Sequence, residues 1–213
     1  MNTDALIATM VDDVRPVPRH AVGRRLLIGG IGGALVSVVL IAAALGFRGD
    51  LGSAMRGFPF WMKWSYTISL GIGAALMVRR LSRPEPVDLR SFWPVALPFA
   101  LLAIVSAAEV ALAPPSDWLG IWLGRTWTKC PWLVLMLSVP IFIGLLWSFR
   151  RMAPTRLNAA GGAAGFAAGA WAATLYCLHC PEVSALFVLT WYTLGIGLAA
   201  AIGIIVGPHL LRW

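Results

Sequence analysis

The chain has 213 residues, 59% of them hydrophobic and 12% charged, with a formal net charge of +8 and a mean hydropathy of +0.80. Soluble domains carry about 25% charged residues, so an ordinary water-soluble globule is excluded, as is a disordered chain, which needs low hydrophobicity. The solvent that suits this composition is a lipid bilayer.

In chain order, residues 1–25 are the one polar stretch of any length. Thr3 can cap a helix in which Leu6, Ile7, Met10, Val11 and Val14 share a face, with Asp4, Asp12 and Asp13 elsewhere, until Pro16 and Pro18 end it. A short amphipathic helix with no core of its own must lie on something. Membrane-surface helices carry Lys and Arg on the polar face, whereas this one carries acids. A protein partner is therefore expected, with those five apolar residues as anchors in a helix-in-groove contact.

A hydrocarbon core about 30 Å thick is crossed by about 20 apolar helical residues, and six such runs are predicted. The first, 26–47, is uncharged between Arg25 and Arg48, and is too long and too far from the amino terminus for a cleaved signal peptide. The second, 58–78, holds Lys63 near its start and is closed by Arg79 and Arg80; the third, 91–113, contains Pro94, Pro98 and Glu109. The fourth, 131–149, ends at Arg150 and Arg151; the fifth, 157–176, is mostly Ala and Gly; the sixth, 183–207, is stopped by Pro208. Small residues four apart recur as Gly29 and Gly33, as Gly161, Gly165 and Gly169, and as Ala199, Gly203 and Gly207, which suits close helix packing.

Twelve of the 17 Lys and Arg residues fall in the arm, the second and fourth loops and the tail, so both termini are predicted to be cytoplasmic. The expected fold is an all-α integral membrane protein, a compact bundle of six transmembrane helices. It comprises an arm over 1–25, a membrane domain over 26–207 and a tail over 208–213. The positive charge is then a topology and anionic-lipid signal, the bilayer is one partner, and no direct nucleic-acid contact is expected.

This topology puts all three cysteines at the outer face, Cys130 before the fourth span and the others in Cys177-Leu178-His179-Cys180-Pro181-Glu182. In a bacterial inner membrane that face is the oxidising periplasm. A C-x-x-C pair is a redox couple, half of a metal site or the two ends of a turn. With Glu182 nearby, Cys130, Cys177, His179 and Cys180 offer enough soft ligands for a thiophilic cation. Pro181 after the second cysteine, where haem attachment needs His, argues against a c-type haem. Redox or metal sensing, a structural disulfide and unreactive thiols all stand as readings. No resident cofactor is expected, only transient heavy-metal binding. His20, His179 and His209 fall in separate places and the acids are scattered, so no catalytic constellation forms and the chain is not read as an enzyme. Glu109, the one carboxylate well inside a span, supplies the alternative of a small transporter or channel with a site there.

The arm Thr3-Asp4-Ala5-Leu6-Ile7 through Asp13-Val14-Arg15-Pro16-Val17, the six spans, and Leu178-His179-Cys180-Pro181-Glu182 leading into Trp191-Tyr192-Thr193-Leu194-Gly195 resemble a known family over essentially the whole chain. It is that of the six-span bacterial anti-sigma factors of the negative regulator of sigma-F (NrsF) type. The resemblance implies a protein that holds an extracytoplasmic-function sigma factor at the inner membrane through its cytoplasmic side. It also implies release when two outward cysteines, mapping onto Cys130 and Cys180, meet heavy-metal or oxidative stress. Cys177 is an additional thiol outside that pattern, and the Arg-rich second and fourth loops are expected to assist the short arm.

Overall fold

The computed structural model describes residues 3, 7, 9, 10, 20–82, 88–150, 152 and 154–212, and among them all regular structure is helical. Helix α1 (Ala21–Leu40) runs on through a π-helical turn, Ile41–Leu45, to Gly46. A short α2 (Leu51–Ala54) precedes α3 (Phe58–Leu81). A 3-10 segment, Leu89–Val95, leads into α4 (Ala96–Leu112), and a second, Pro115–Asp117, into α5 (Trp118–Leu123). Then come α6 (Cys130–Phe149), α7 (Leu157–Tyr176), α8 (Ala185–Phe187) and, beyond a π turn at Val188–Tyr192, α9 (Thr193–Leu210).

Local chemistry sets several of these starts. Pro59 and Pro131 lie in the first turns of α3 and α6, where a missing N–H has no intrahelical partner to lose. Asp88 accepts from the Arg90 amide at 2.9 Å to open the 3-10 segment, and Pro94 keeps that segment from an α-helical ladder until Ala96.

Helix α7 is the axis of the bundle, packed by α9, α3 and α6, and 13 of its 20 residues are buried. Its Ala and Gly content follows from that position. Gly161 and Gly165 lie so near Gly203 and Ala199 that a Cβ on either α7 glycine would strike a carbonyl oxygen of α9. Helices α1 and α6 meet in the same manner at Gly29 and Gly144, and at Gly33 and Ile141. Where Pro140 interrupts the α6 ladder, Ser37 of α1 donates its hydroxyl to the Leu137 carbonyl at 2.8 Å.

Four stretches, Ala21–Leu45, Phe92–Leu112, Cys130–Phe149 and Ala185–Leu210, are long and apolar enough to cross a membrane by length and composition. This corrects the expectation of six. The other two, α3 and α7, are long, at 24 and 20 residues, but less apolar. Helix α7 faces protein, so small residues that permit close approach replace the bulk that lipid contact favours. Helix α3 carries Arg79 and Arg80 in its last turn and turns Lys63 inward.

Of the expected arm anchors, Ile7 and Met10 are helical and exposed, at 54% and 65%, while Leu6, Val11 and Val14 lie outside the described residues.

Candidate functional site

The end of α1, the start of α3, the start of α6 and the end of α7 converge at one end of the bundle, and the segment 177–184 lies across them. Its carbonyls and side chains tie these elements together. The Arg48 amide donates to Leu178 O at 3.1 Å, and His179 Nδ1 meets Gly46 O at 2.8 Å. A carbonyl only accepts, so that contact puts the imidazole proton on Nδ1. Lys63 Nζ donates to Cys180 O at 3.1 Å and to Glu182 O at 2.5 Å, and Arg48 Nη1 reaches Cys180 O at 3.4 Å. The Glu182 carboxylate turns the other way. Its Oε1 accepts from the Arg125 amide at 2.8 Å and from Thr126 Oγ1 at 3.1 Å, fastening the loop before α6. Gly124 makes this possible: its φ of +55° suits glycine, and a Cβ there would collide with the Glu182 carboxylate and the Phe187 ring.

This segment supplies two of the three cysteines, Cys177 and Cys180, and Cys130 at the start of α6 is the third. All are free thiols, and each is 0% exposed. Cys130, Cys177 and Cys180 are near enough to feel one another's charge, and Cys177 Sγ donates to Ala173 O at 3.3 Å. The Tyr192 hydroxyl is buried beside Cys177 and Cys180. The π turn at Val188–Tyr192 delivers this ring, and also Trp191, whose Nε1 donates to Trp122 O at 2.8 Å while its indole stacks on Trp122.

The expected sensing residues Cys130, Cys177, His179, Cys180 and Glu182 are thus gathered at one end. The four-ligand metal set is not. Among the described residues no group of three or more His, Cys, Asp or Glu side chains is placed to hold a metal ion. In this arrangement His179 is held by Gly46, and Glu182, the acid beside Cys130, Cys177 and Cys180, by residues 125 and 126. Glu109 is also engaged. Its Oε2 accepts from Ser184 Oγ at 3.0 Å and the Leu186 amide at 3.1 Å, so the carboxylate holds the start of α8.

Sequence reasoning missed the two basic residues that organise the segment. Arg48 is fixed by a two-pronged pair with Asp50, Nε to Oδ1 at 2.7 Å and Nη2 to Oδ2 at 2.8 Å. That guanidinium holds the Asp50 carboxyl below its usual range and is itself raised by the partnership. Lys63 read as one more outer-side positive charge. The available signal was its placement five residues inside an apolar helix, where a lysine needs a reason.

The opposite end of the bundle carries a second group of arginines. Arg25 lies there, its carbonyl accepting from Ser148 Oγ at 2.9 Å, as do Arg80 at the end of α3, Arg150 after α6 and Arg212 after α9.

No solved structure matches the chain. The chain is 39% identical, over the full length of both sequences, to a protein of Azospira oryzae named "Probable anti-sigma-F factor NrsF". It is 38% identical, again over the full length of both, to "Anti-sigma-F factor NrsF" of Caulobacter vibrioides. The family model described as "Negative regulator of sigma F" matches residues 10–213, and the chain belongs to that NrsF family.

Proposed function

We propose that this protein is a membrane-bound anti-sigma factor. It holds an extracytoplasmic-function sigma factor against the arginine-bearing end of the bundle and releases it when the thiols at the other end are modified by heavy metals or oxidants. Family membership and the names of both relatives support a regulatory role with a sigma factor as partner. The helices lie across a bacterial inner membrane with the arm cytoplasmic. Ile28, Ile31, Leu35 and Val39 on α1 and Leu97, Leu101 and Ile104 on α4 present apolar side chains outward, as lipid-facing helices do. α7 crosses as an interior helix shielded by the rest, and α3 crosses at the periphery with Phe58, Trp61, Ile72 and Leu76 outward.

The observation that carries the reading is the convergence of Cys130, Cys177 and Cys180, from segments far apart in the chain, on one buried cluster at the end opposite Arg25, Arg80, Arg150 and Arg212. A covalent bond or a metal shared between any two of them changes how α6 and α7 start and end, and both helices lead directly to arginines at the far end. Ile7 and Met10, helical and exposed, are available to a partner.

The test is sigma-dependent transcription with and without dichromate or cadmium, in cells carrying the wild-type protein or the Cys130→Ser, Cys180→Ser double variant. The wild type is expected to induce and the double variant to stay repressed. An induction that survives both substitutions overturns the sensing step, and failure of the purified protein to retain any sigma factor overturns the sequestering step.

A further inference from the structure

A lysine whose side chain is 0% exposed carries a charge that burial penalises heavily unless partners compensate it. The usual compensation is a carboxylate. Lys63 makes no ion pair among the described residues: Asp50, whose carboxylate feels the lysine's charge, is bonded to Arg48, and Glu182 points its carboxylate at residues 125 and 126. Its Nζ is bonded instead to two backbone carbonyls, those of Cys180 and Glu182. These flank Pro181, which has no N–H of its own to anchor the chain there. Lys63 therefore staples both sides of the proline to α3.

The stapled stretch itself carries one of the three thiols, Cys180. With Cys130, Cys177 and Cys180 all at 0% exposure, no reagent in water reaches a sulfur until the structure around it opens. The rate of thiol chemistry then follows the population of the open form. The other ties on the segment are His179 to Gly46, Arg48 to Leu178 and more distantly to the Cys180 carbonyl, Glu182 to Arg125 and Thr126, and Ser184 to Glu109 of α4. Lys63 is the one that holds both carbonyls flanking Pro181, and it does so from a wholly buried position within a long helix. Cys177 also lies within electrostatic reach of the lysine, so one charge faces both the stapled stretch and a second thiol.

From this geometry we infer that Lys63 is a positioning residue: it latches residues 180–182 and so sets how readily thiol reagents reach the three thiols. The regulatory meaning of the latch rests on the sensing reading above.

The experiment uses the full-length protein in detergent, treated with N-ethylmaleimide, with modification of each cysteine followed in time by mass spectrometry. Lys63→Met, which keeps the apolar stem and removes the charge, is expected to label Cys180 and Cys177 about tenfold faster than wild type. Lys63→Arg, still a cation, is expected to stay within about threefold of wild type. Leu137→Ala, a cavity in the middle of α6, serves as a control of equal or greater loss in Tm and should leave the labelling rate near wild type. Wild-type labelling in folded Lys63→Met, or equal acceleration in Leu137→Ala, overturns the latch. If Lys63→Met does not accumulate, Lys63→Gln takes its place and must label faster than Lys63→Arg. Sigma-dependent transcription at a sub-saturating dose of cadmium or dichromate, compared with wild type at the same dose, separates the two claims. Faster labelling with raised transcription supports both, faster labelling with unchanged transcription keeps the latch and overturns the sensing reading, and wild-type labelling overturns the latch whatever transcription does.

Discussion

Gly161 of α7 and Gly203 of α9 face each other backbone to backbone, so that a Cβ on either would run into the carbonyl oxygen of the other. No side-chain rotation relieves such a clash, because both obstacles are main chain. Gly161→Leu is expected to destabilise the protein by at least the about 1–3 kcal/mol typical of overpacking, read as a lower midpoint of SDS-induced unfolding. Gly197→Leu, on the same α9 but with open space around it, is the matched control and should be nearly neutral.

The Arg48–Asp50 pair makes a pH prediction. Because the folded carboxyl titrates below its unfolded value, the stabilisation is present above the ordinary carboxylate range, about pH 4, and is lost as pH falls through the lowered value. Asp50 is exposed, so the effect is small. Asp50→Asn should lower the Tm slightly at neutral pH, and the gap to wild type should close on acidification. A gap that widens at low pH contradicts the assignment.

Glu109 holds the start of α8 through Ser184 and Leu186. Glu109→Ala leaves the Leu186 amide without its acceptor, with an expected cost of about 1–3 kcal/mol. Glu109→Gln keeps an acceptor and should cost less. Equal losses in thermal unfolding would show that the hydrogen bonds are not what Glu109 contributes.

If the arm docks in a groove of a sigma factor, its exposed apolar residues carry the contact. The double variant Ile7→Asp, Met10→Asp should weaken sigma-factor binding by about tenfold or more, as loss of buried anchors does, with no change in the Tm of the bundle. Unchanged binding would move the interface to the arginine-bearing loops.

The helices were largely legible in the sequence, because apolar runs, flanking arginines and prolines act over one or two turns. Expected spans and observed helices share centres and differ mainly at their ends. The third span differs for a local reason: its prolines turn the entry into a 3-10 segment. The glycine spacing also announced close packing, although which helices would pair was not readable. The expected thiol cluster was legible only in part: its members were in plain view, while their burial and the loss of His179 to Gly46 were not.

Length, apolarity, charge placement, the helical segments and family membership were thus determined by the sequence alone, since each is a property of neighbouring residues or of the whole string. Tertiary structure decided that α7 faces protein on nearly every side, that His179 is taken up by Gly46, and that Lys63 turns inward onto the Cys180 and Glu182 carbonyls. The physical reason is shared. Hydropathy reports a residue's preference for leaving water but not whether lipid or protein receives it. A lysine 117 residues from the carbonyl it holds has no local signature of that bond.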